Sequence, residues 1–160
     1  MSDANSIGRK GILLRAPEEK ELPAASALCM RSKGYWGYDA AFMEACRDEL
    51  TLTKRDLVES TVILAVQEQT IAGIAQVTFE DGEAGLDKLF IEPDMIGHGI
   101  GRLLFDWTCA HALAEGATSL TVTADPDAAP FYEKMGFART AEEPSGSIPG
   151  RVLPVLSLKL

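Results

Sequence analysis

The spacing of apolar residues along this chain changes character at residue 61, from a helical period to a strand-like one. Before that point, residues 11–16 read as a first strand. Pro17 then opens a helix in which Leu22, Ala25, Leu28 and Cys29 recur at helical spacing. A second helix is expected over about 39–50, after the aromatic cluster Tyr35-Trp36-Gly37-Tyr38. Thr53 with Asp56 three residues on resembles a capping box, which predicts one further short helix. From residue 61 the texture is β-branched and apolar. Residues 61–66, 71–80 and 83–92 read as three strands of an antiparallel meander, with a turn at 67–70, the turn pair Asp81-Gly82, and Pro93 as the stop.

The most regular helix follows. Ile100, Leu103, Leu104, Trp107, His111 and Ala114 fall on one face, and Gly116 is placed as a C-cap. Residues 119–123 form a short strand. Asp127 is then expected to cap a helix with Pro130 in its first turn, ending at Gly136. The last strands, 137–141 and 152–160, are joined by a Pro/Gly/Ser loop over 143–150. The predicted order is β-α-α-β-β-β-α-β-α-β-β, a mixed α/β layer of α+β type with about seven strands and about four helices. Neither internal repeats nor low-complexity linkers interrupt it. A single domain over residues 1–160 with a flexible start at 1–9 is expected.

Composition narrows the function classes. Apolar residues make up 46% and charged residues 24%, as in a globular protein. With no long apolar run and no apolar core near the N-terminus, neither a membrane span nor a signal peptide is expected, and the cytoplasm is the default location. A net charge of −9 argues against nucleic acid, whose binding depends on Lys and Arg, and is compatible with a cationic substrate. Cys29, Cys46 and Cys109 have no CxxC pairing and no His at metal-ligand spacing. They read as buried thiols, and no metal site is expected.

Between the third meander strand and the most regular helix lies Gly97-His98-Gly99-Ile100-Gly101-Arg102. Glycines at every second position remove the Cβ atoms that would hold a ligand off the backbone, and the helix N-terminus that follows offers unpaired N–H groups. The combination suits a phosphate, to which Arg102 could add a charge-assisted contact. The Rossmann fingerprint fails, because the sixth position from Gly97 is Arg102 and from Gly99 is Leu104. No Gly-Lys-Ser/Thr follows at P-loop spacing.

A third pattern fits. Leu89-Phe90-Ile91-Glu92-Pro93, then Ile96-Gly97-His98-Gly99-Ile100-Gly101 and Leu103-Leu104, resembles the acetyl-CoA motif of the GCN5-related N-acetyltransferase superfamily, whose usual form is Arg/Gln-x-x-Gly-x-Gly/Ala. Here Ile96 stands in the Arg/Gln position. A second block, Ala128-Ala129-Pro130-Phe131-Tyr132-Glu133-Lys134-Met135-Gly136-Phe137, is similar to the family's Phe-Tyr-x-x-x-Gly-Phe signature.

The resemblance implies an acetyltransferase using acetyl-CoA. Its pyrophosphate would lie on Gly97, His98, Gly99, Ile100, Gly101 and Arg102, and its pantetheine arm along the backbone of Leu89, Phe90 and Ile91, beside Phe131. The arm would enter a V-shaped gap between residues 86–92 and 119–123. Tyr132 matches the position often used as the proton donor to the leaving thiolate. Asp87, expected on the same strand face as Leu89 by period-two alternation, is the candidate base. Asp125 stands where relatives often carry an Asn that contacts the cofactor. His98 is expected to be exposed at the phosphates and His111 to be core.

Acceptor recognition is expected from Tyr35, Trp36, Tyr38 and Asp39, with cation–π and ionic contacts to an amine, and from the loop 145–151. The acceptor is expected to be a small-molecule amine. A protein N-terminus or lysine, and a non-catalytic CoA-binding module, are the alternatives. Family members are often dimers, and strand 152–160 is a candidate for pairing across a homodimer interface.

Overall fold

The computed structural model describes residues 6–7 and 11–160. An eight-stranded sheet runs in the order β1-β2-β3-β4-β5-β6-β8-β7, with β1 Ser6–Ile7, β2 Leu13–Arg15, β3 Thr61–Gln67, β4 Thr70–Glu80, β5 Glu83–Ile91, β6 Ser119–Thr123, β7 Ala138–Pro144 and β8 Val152–Lys159. Every neighbouring pair is antiparallel except β5 and β6. The helices are α1 Leu22–Gly34, α2 Ala40–Leu50, α3 Lys54–Glu59, α4 Ile100–Ala114 and α5 Ala129–Lys134. The α+β class and the element order are as expected; β1 and the short α3 are additions to the counts. Apart from Ser6–Ile7, the expected flexible start lies outside the described residues.

The central strand β3 shows why two helical layers are needed. Its residues are buried on both faces. Ile63 and Ala65 enter a core shared with Leu104 and Phe105 of α4, whereas Val62, Leu64 and Val66 enter one shared with Leu22, Leu28 and Leu50 of α1 and α2. Helix α4 sits unusually close to β4 at Gly73, where a Cβ would stand 2.9 Å from Leu104 Cδ1 and 3.1 Å from Ile100 Cγ2. This absence of a side chain seats the N-terminal turn of α4 against the sheet.

Several local expectations change. Pro17 does not open α1; a 3-10 turn at Glu19–Glu21 comes first and Pro23 takes the first-turn position. Asp127 does not cap α5, whose N-cap is Ala128; instead the Asp127 N–H donates to Asp125 Oδ1 at 2.9 Å. The Thr53–Asp56 capping box is present, and Asp81 and Gly82 both adopt positive φ in the expected hairpin turn. Strand β8 lies between β6 and β7, so the segment expected to pair across a homodimer has both edges filled. The edge at this end of the sheet is β7, which carries Arg139, Glu142 and Glu143.

Candidate active site

The site begins with a failure of pairing. Parallel β5 and β6 are in register only at Glu83–Ser119, Ala84–Leu120 and Gly85–Thr121, after which they separate. A cleft of about 590 Å³ fills the opening, lined by Leu86–Ile91 on one strand, Val122–Asp125 on the other, the loop from Met95 to Arg102, and Phe131 and Tyr132 of α5. Gly97 and Gly99 have φ of 89° and 83°, so the loop takes its path because these positions lack Cβ atoms. Nothing lies within 4 Å of where a Cβ would stand at Gly97, which leaves open space above the backbone there. The first backbone bond of α4 runs from Leu103 N–H to Gly99 O at 3.0 Å, so the N–H groups before it have no intrahelical partner. An apolar-walled slot ending in these N–H groups fits a long thioester carrier with a pyrophosphate. Arg102 lines the same mouth, with its Nε donating to Asp106 Oδ1 at 3.0 Å.

A bulge overturns one sequence expectation. Opposite Gln76 and Val77 the β4–β5 register slips, and Leu86 and Leu89 consequently both face the α4 core. The inserted residue breaks the period of two. Asp87 therefore does not share Leu89's face. It accepts from Thr78 Oγ1 at 3.3 Å on the α1–α3 side, where Lys88 Nζ also reaches Gln76 Oε1 at 2.8 Å. Gln76 is buried and passes the chain on to Asp56 Oδ1 and Ser60 Oγ. Protein walls around the Asp87 carboxyl raise its pKa by burial, although the group keeps solvent contact through the cleft.

Tyr132 occupies the opposite side, packed edge-on against Phe131 and Phe137 and only 6% exposed. Its hydroxyl has no hydrogen-bond partner among the described residues. Since none of the fully buried side-chain oxygens is unpartnered, this hydroxyl reaches the cleft it lines. Burial pushes its pKa upward, so it stays protonated at neutral pH.

The cleft's far wall is built by α1. Arg31 pairs with Glu92, just beyond the end of β5, at 2.6 Å, and Lys33 pairs with Asp125, just beyond the end of β6, at 2.8 Å. One helix thus braces both arms of the gap. Asp125 is the hub of a larger network: Oδ2 also accepts from Tyr38 OH at 2.6 Å and Arg151 at 3.3 Å, while Arg151 donates to Tyr38 OH at 2.8 Å. Tyr38 stacks on Phe42 at 4.0 Å, and both cations lie over these rings. Burial raises the Asp125 pKa, but the bonds from Lys33, Tyr38 and the Asp127 N–H outweigh it and hold the carboxyl at about 2. The network ties the α1–α2 connection to the β7–β8 loop. That loop is fastened again where Ser147 Oγ donates to Glu49 at 3.3 Å.

Of the residues singled out from sequence, Asp87, Leu89, Phe90, Ile91, Gly97, Gly99, Ile100, Gly101, Arg102, Asp125, Phe131, Tyr132, Tyr35 and Trp36 line the cleft together; His98, Tyr38 and Asp39 do not. Asp39 caps α2, accepting from Phe42 N–H at 2.8 Å. His111 is half-buried, stacked on Trp107 and bonded to Thr61 Oγ1. Cys29 is buried, its thiol pushed up to about 12 by burial, whereas Cys109 is only half-buried. Among the described residues no cluster of ligating side chains could hold a metal, and no helix is long and apolar enough to cross a membrane. Sequence reasoning missed Lys33, Phe42 and Lys88; no local pattern marks them, because their partners lie far along the chain.

Comparison with known proteins places this geometry. A family model described as an acetyltransferase (GNAT) domain matches residues 24–147. The chain is 38% identical over 73 residues to the peptidyl-lysine N-acetyltransferase YjaB of Salmonella typhimurium, a match covering 46% of this chain and 48% of that protein. The chain spans between 48% and 59% of the length of the curated relatives it matches. The PaiA N-acetyltransferase of Thermoplasma acidophilum, solved in complex with coenzyme A, has the same fold, with a TM-score of 0.76 at 16% identity over 93% of this chain and 99% of that one. A GCN5-related N-acetyltransferase from Rhodopseudomonas palustris gives 0.78 at 24% identity, over 92% and 94%.

Proposed function

We propose that this chain, which belongs to the GNAT acetyltransferase family, transfers the acetyl group of acetyl-CoA to the primary amine of a small molecule by direct attack in a ternary complex. The family match makes the domain an acetyltransferase with acetyl-CoA as donor. The thioester supplies an acyl group already activated for attack. The protein's part is to bind, orient and move protons.

One observation carries the reading: the gap between β5 and β6 has Asp87 on its α1–α3 side and the Tyr132 hydroxyl on its α4–α5 side. In this reading the amine approaches along the Asp87 side, and Asp87 takes the proton that nitrogen must lose. The new bond joins nitrogen to the acyl carbon as the carbon–sulfur bond breaks. Tyr132, protonated at neutral pH, gives its proton to the departing sulfur. Gly97, Gly99, Ile100, Gly101 and Arg102 hold the pyrophosphate, with His98 beside them, and the backbone of Leu89 to Ile91 aligns the arm.

The small-molecule acceptor is supported by the roof. The Tyr38–Asp125–Arg151 network and the Ser147–Glu49 bond close the α1–α2 segment and the β7–β8 loop over the cleft. Tyr35 and Trp36 line it from the same segment. A second reading, acetylation of protein lysine, is favoured by the 38% identity to a peptidyl-lysine acetyltransferase. Release of free CoA from acetyl-CoA, measured with small amines and with lysine and N-terminal peptides, tests both. Turnover on peptides alone overturns the small-molecule reading, and tight CoA binding without turnover on any acceptor overturns catalysis.

A further inference from the structure

Gln76 of β4 is only 3% exposed, and a buried amide is costly unless its polar atoms are paired. Its Nε2 donates to Asp56 Oδ1 at 3.2 Å and to Ser60 Oγ at 3.0 Å, while Oε1 accepts from Lys88 Nζ at 2.8 Å. A carboxylate only accepts, so Asp56 fixes which end of the amide faces α3. The carbonyl is thereby turned towards Lys88. Asp56 is itself held in place, since its Oδ2 takes the Thr53 N–H in the capping box of α3. A capped helix and a buried amide thus hold one ammonium group in the wall of the cleft. Among the described residues that ammonium is in no ion pair, and its tether is a neutral group.

The bulge decides what this ammonium meets. Consecutive residues of a regular strand face opposite ways, but the register slip opposite Gln76 and Val77 removes that alternation at Asp87 and Lys88. Both reach the same face of β4, Asp87 to Thr78 and Lys88 to Gln76, and both line the cleft. Of the other charged groups on this side, Glu49 of α2 is turned to Ser147, Asp125 is matched by Lys33 and Arg151, and Asp56 is taken up by Thr53 and Gln76. The Cys29 thiol of α1 is pushed up to about 12 by burial and stays neutral. The charge at the reacting end is then set by Asp87 and Lys88. A carboxylate alone in the gap would favour the acceptor as an ammonium ion, whose lone pair is taken by the proton and cannot attack. A cation beside the carboxylate opposes that trap.

We propose that Lys88 is a positioning residue of the acetyl transfer: tethered by Gln76, its ammonium balances the Asp87 carboxylate, so that the acceptor amine is not held in the gap as an ammonium ion. This rests on the acetyl-transfer reading. Lys88 exchanges no proton and forms no bond with the acceptor; it acts on the nitrogen and on Asp87 through its charge. Burial raises the Asp87 pKa most, and the Thr78 hydroxyl and Lys88 both work against that rise. Gln76 keeps the charge at one place on the wall, and Asp56 keeps Gln76 turned the right way.

The test follows kcat and KM against pH in the full chain, with the small amine or peptide that releases CoA fastest as the probe. NMR titration of the Asp87 carboxyl carbon runs beside it and needs no acceptor. Removing a cation favours the protonated carboxyl, so in Lys88→Met the acid limb of kcat/KM and the Asp87 titration should both move to higher pH, by about half a unit or more. In the same variant kcat should fall about tenfold, while KM for the amine stays level or drops because its ammonium form binds better. Lys88→Arg should keep the wild-type limb. Gln76→Leu leaves the charge but frees it, and its limb should move the same way by less. An unmoved limb or carboxyl titration in Lys88→Met overturns the role of Lys88 and leaves acetyl transfer standing. So does a raised KM at unchanged kcat, which marks a direct binding contact, or a limb in Lys88→Arg that follows Lys88→Met. A wild-type profile in Gln76→Leu overturns the tether. No CoA release by the wild type with any acceptor overturns the acetyl-transfer reading, and the role of Lys88 with it.

Discussion

Asp125→Asn is a near-isosteric change, yet in this chain it should be costly. The carboxyl drops from its ordinary 3.8 to about 2 in the folded protein. At about 1.4 kcal/mol per pKa unit this amounts to about 2–3 kcal/mol of native-state stabilisation by the charge before solvent screening. Lys33 and Arg151 keep 14% and 18% side-chain exposure, so solvent screens part of that, and about 1–2 kcal/mol is expected. For a domain of this length the loss corresponds to about 2–8 °C in Tm at pH 7. The pH dependence gives the sharper check. Because the folded pKa is depressed, the contribution is fully present above the ordinary pKa and is lost as pH falls from about 4 towards 2. Thermal unfolding followed by circular dichroism should therefore show the gap between wild type and Asp125→Asn at pH 7 closing near pH 2. Equal melting temperatures at neutral pH, or a gap independent of pH, would refute the claim that two cations depend on this one carboxylate.

Tyr132→Phe should lower kcat by about 100-fold with little change in CoA affinity, and an unchanged kcat removes the hydroxyl from proton transfer. Gly99→Val forces a side chain onto φ of 83°; CoA affinity should fall at least about tenfold in a titration, and wild-type affinity would contradict the loop assignment. Asp87 has a raised pKa, so the acid limb of kcat/KM should lie above the ordinary carboxylate value, activity falling as pH drops through it. Asp87→Asn should lose that limb and most of the rate; a limb that persists in the variant assigns the base elsewhere.

The cofactor side of the site was legible because its determinants are local. Alternating glycines, a helix of strict apolar period and the Phe131-Tyr132 block each lie within one short window, and Gly97 and Gly99 adopt the positive φ that their composition suggested. The acceptor side depends on contacts between distant segments. Lys33 meets Asp125 across 92 residues and Tyr38 meets it across 87, distances that no periodicity spans. The bulge at Asp87 is likewise silent in a single strand, since it is defined against the partner strand. Asp39 shows the opposite error: an acid followed by a helical pattern is first of all an N-cap, and that local role was readable.

Helix α1 has one further consequence. Arg31 and Lys33 stand two residues apart and grip opposite lips of the same opening. A shift or tilt of this one rod would change the width of the gap proposed for the pantetheine arm, and the rod also walls the chamber proposed for the acceptor. Occupancy of the chamber and grip on the donor are then two readings of one mechanical coordinate. An acceptor that steadies the rod must tighten donor binding by the same factor by which the donor tightens its own. Order of addition in this protein would be written in the stiffness of two ion pairs.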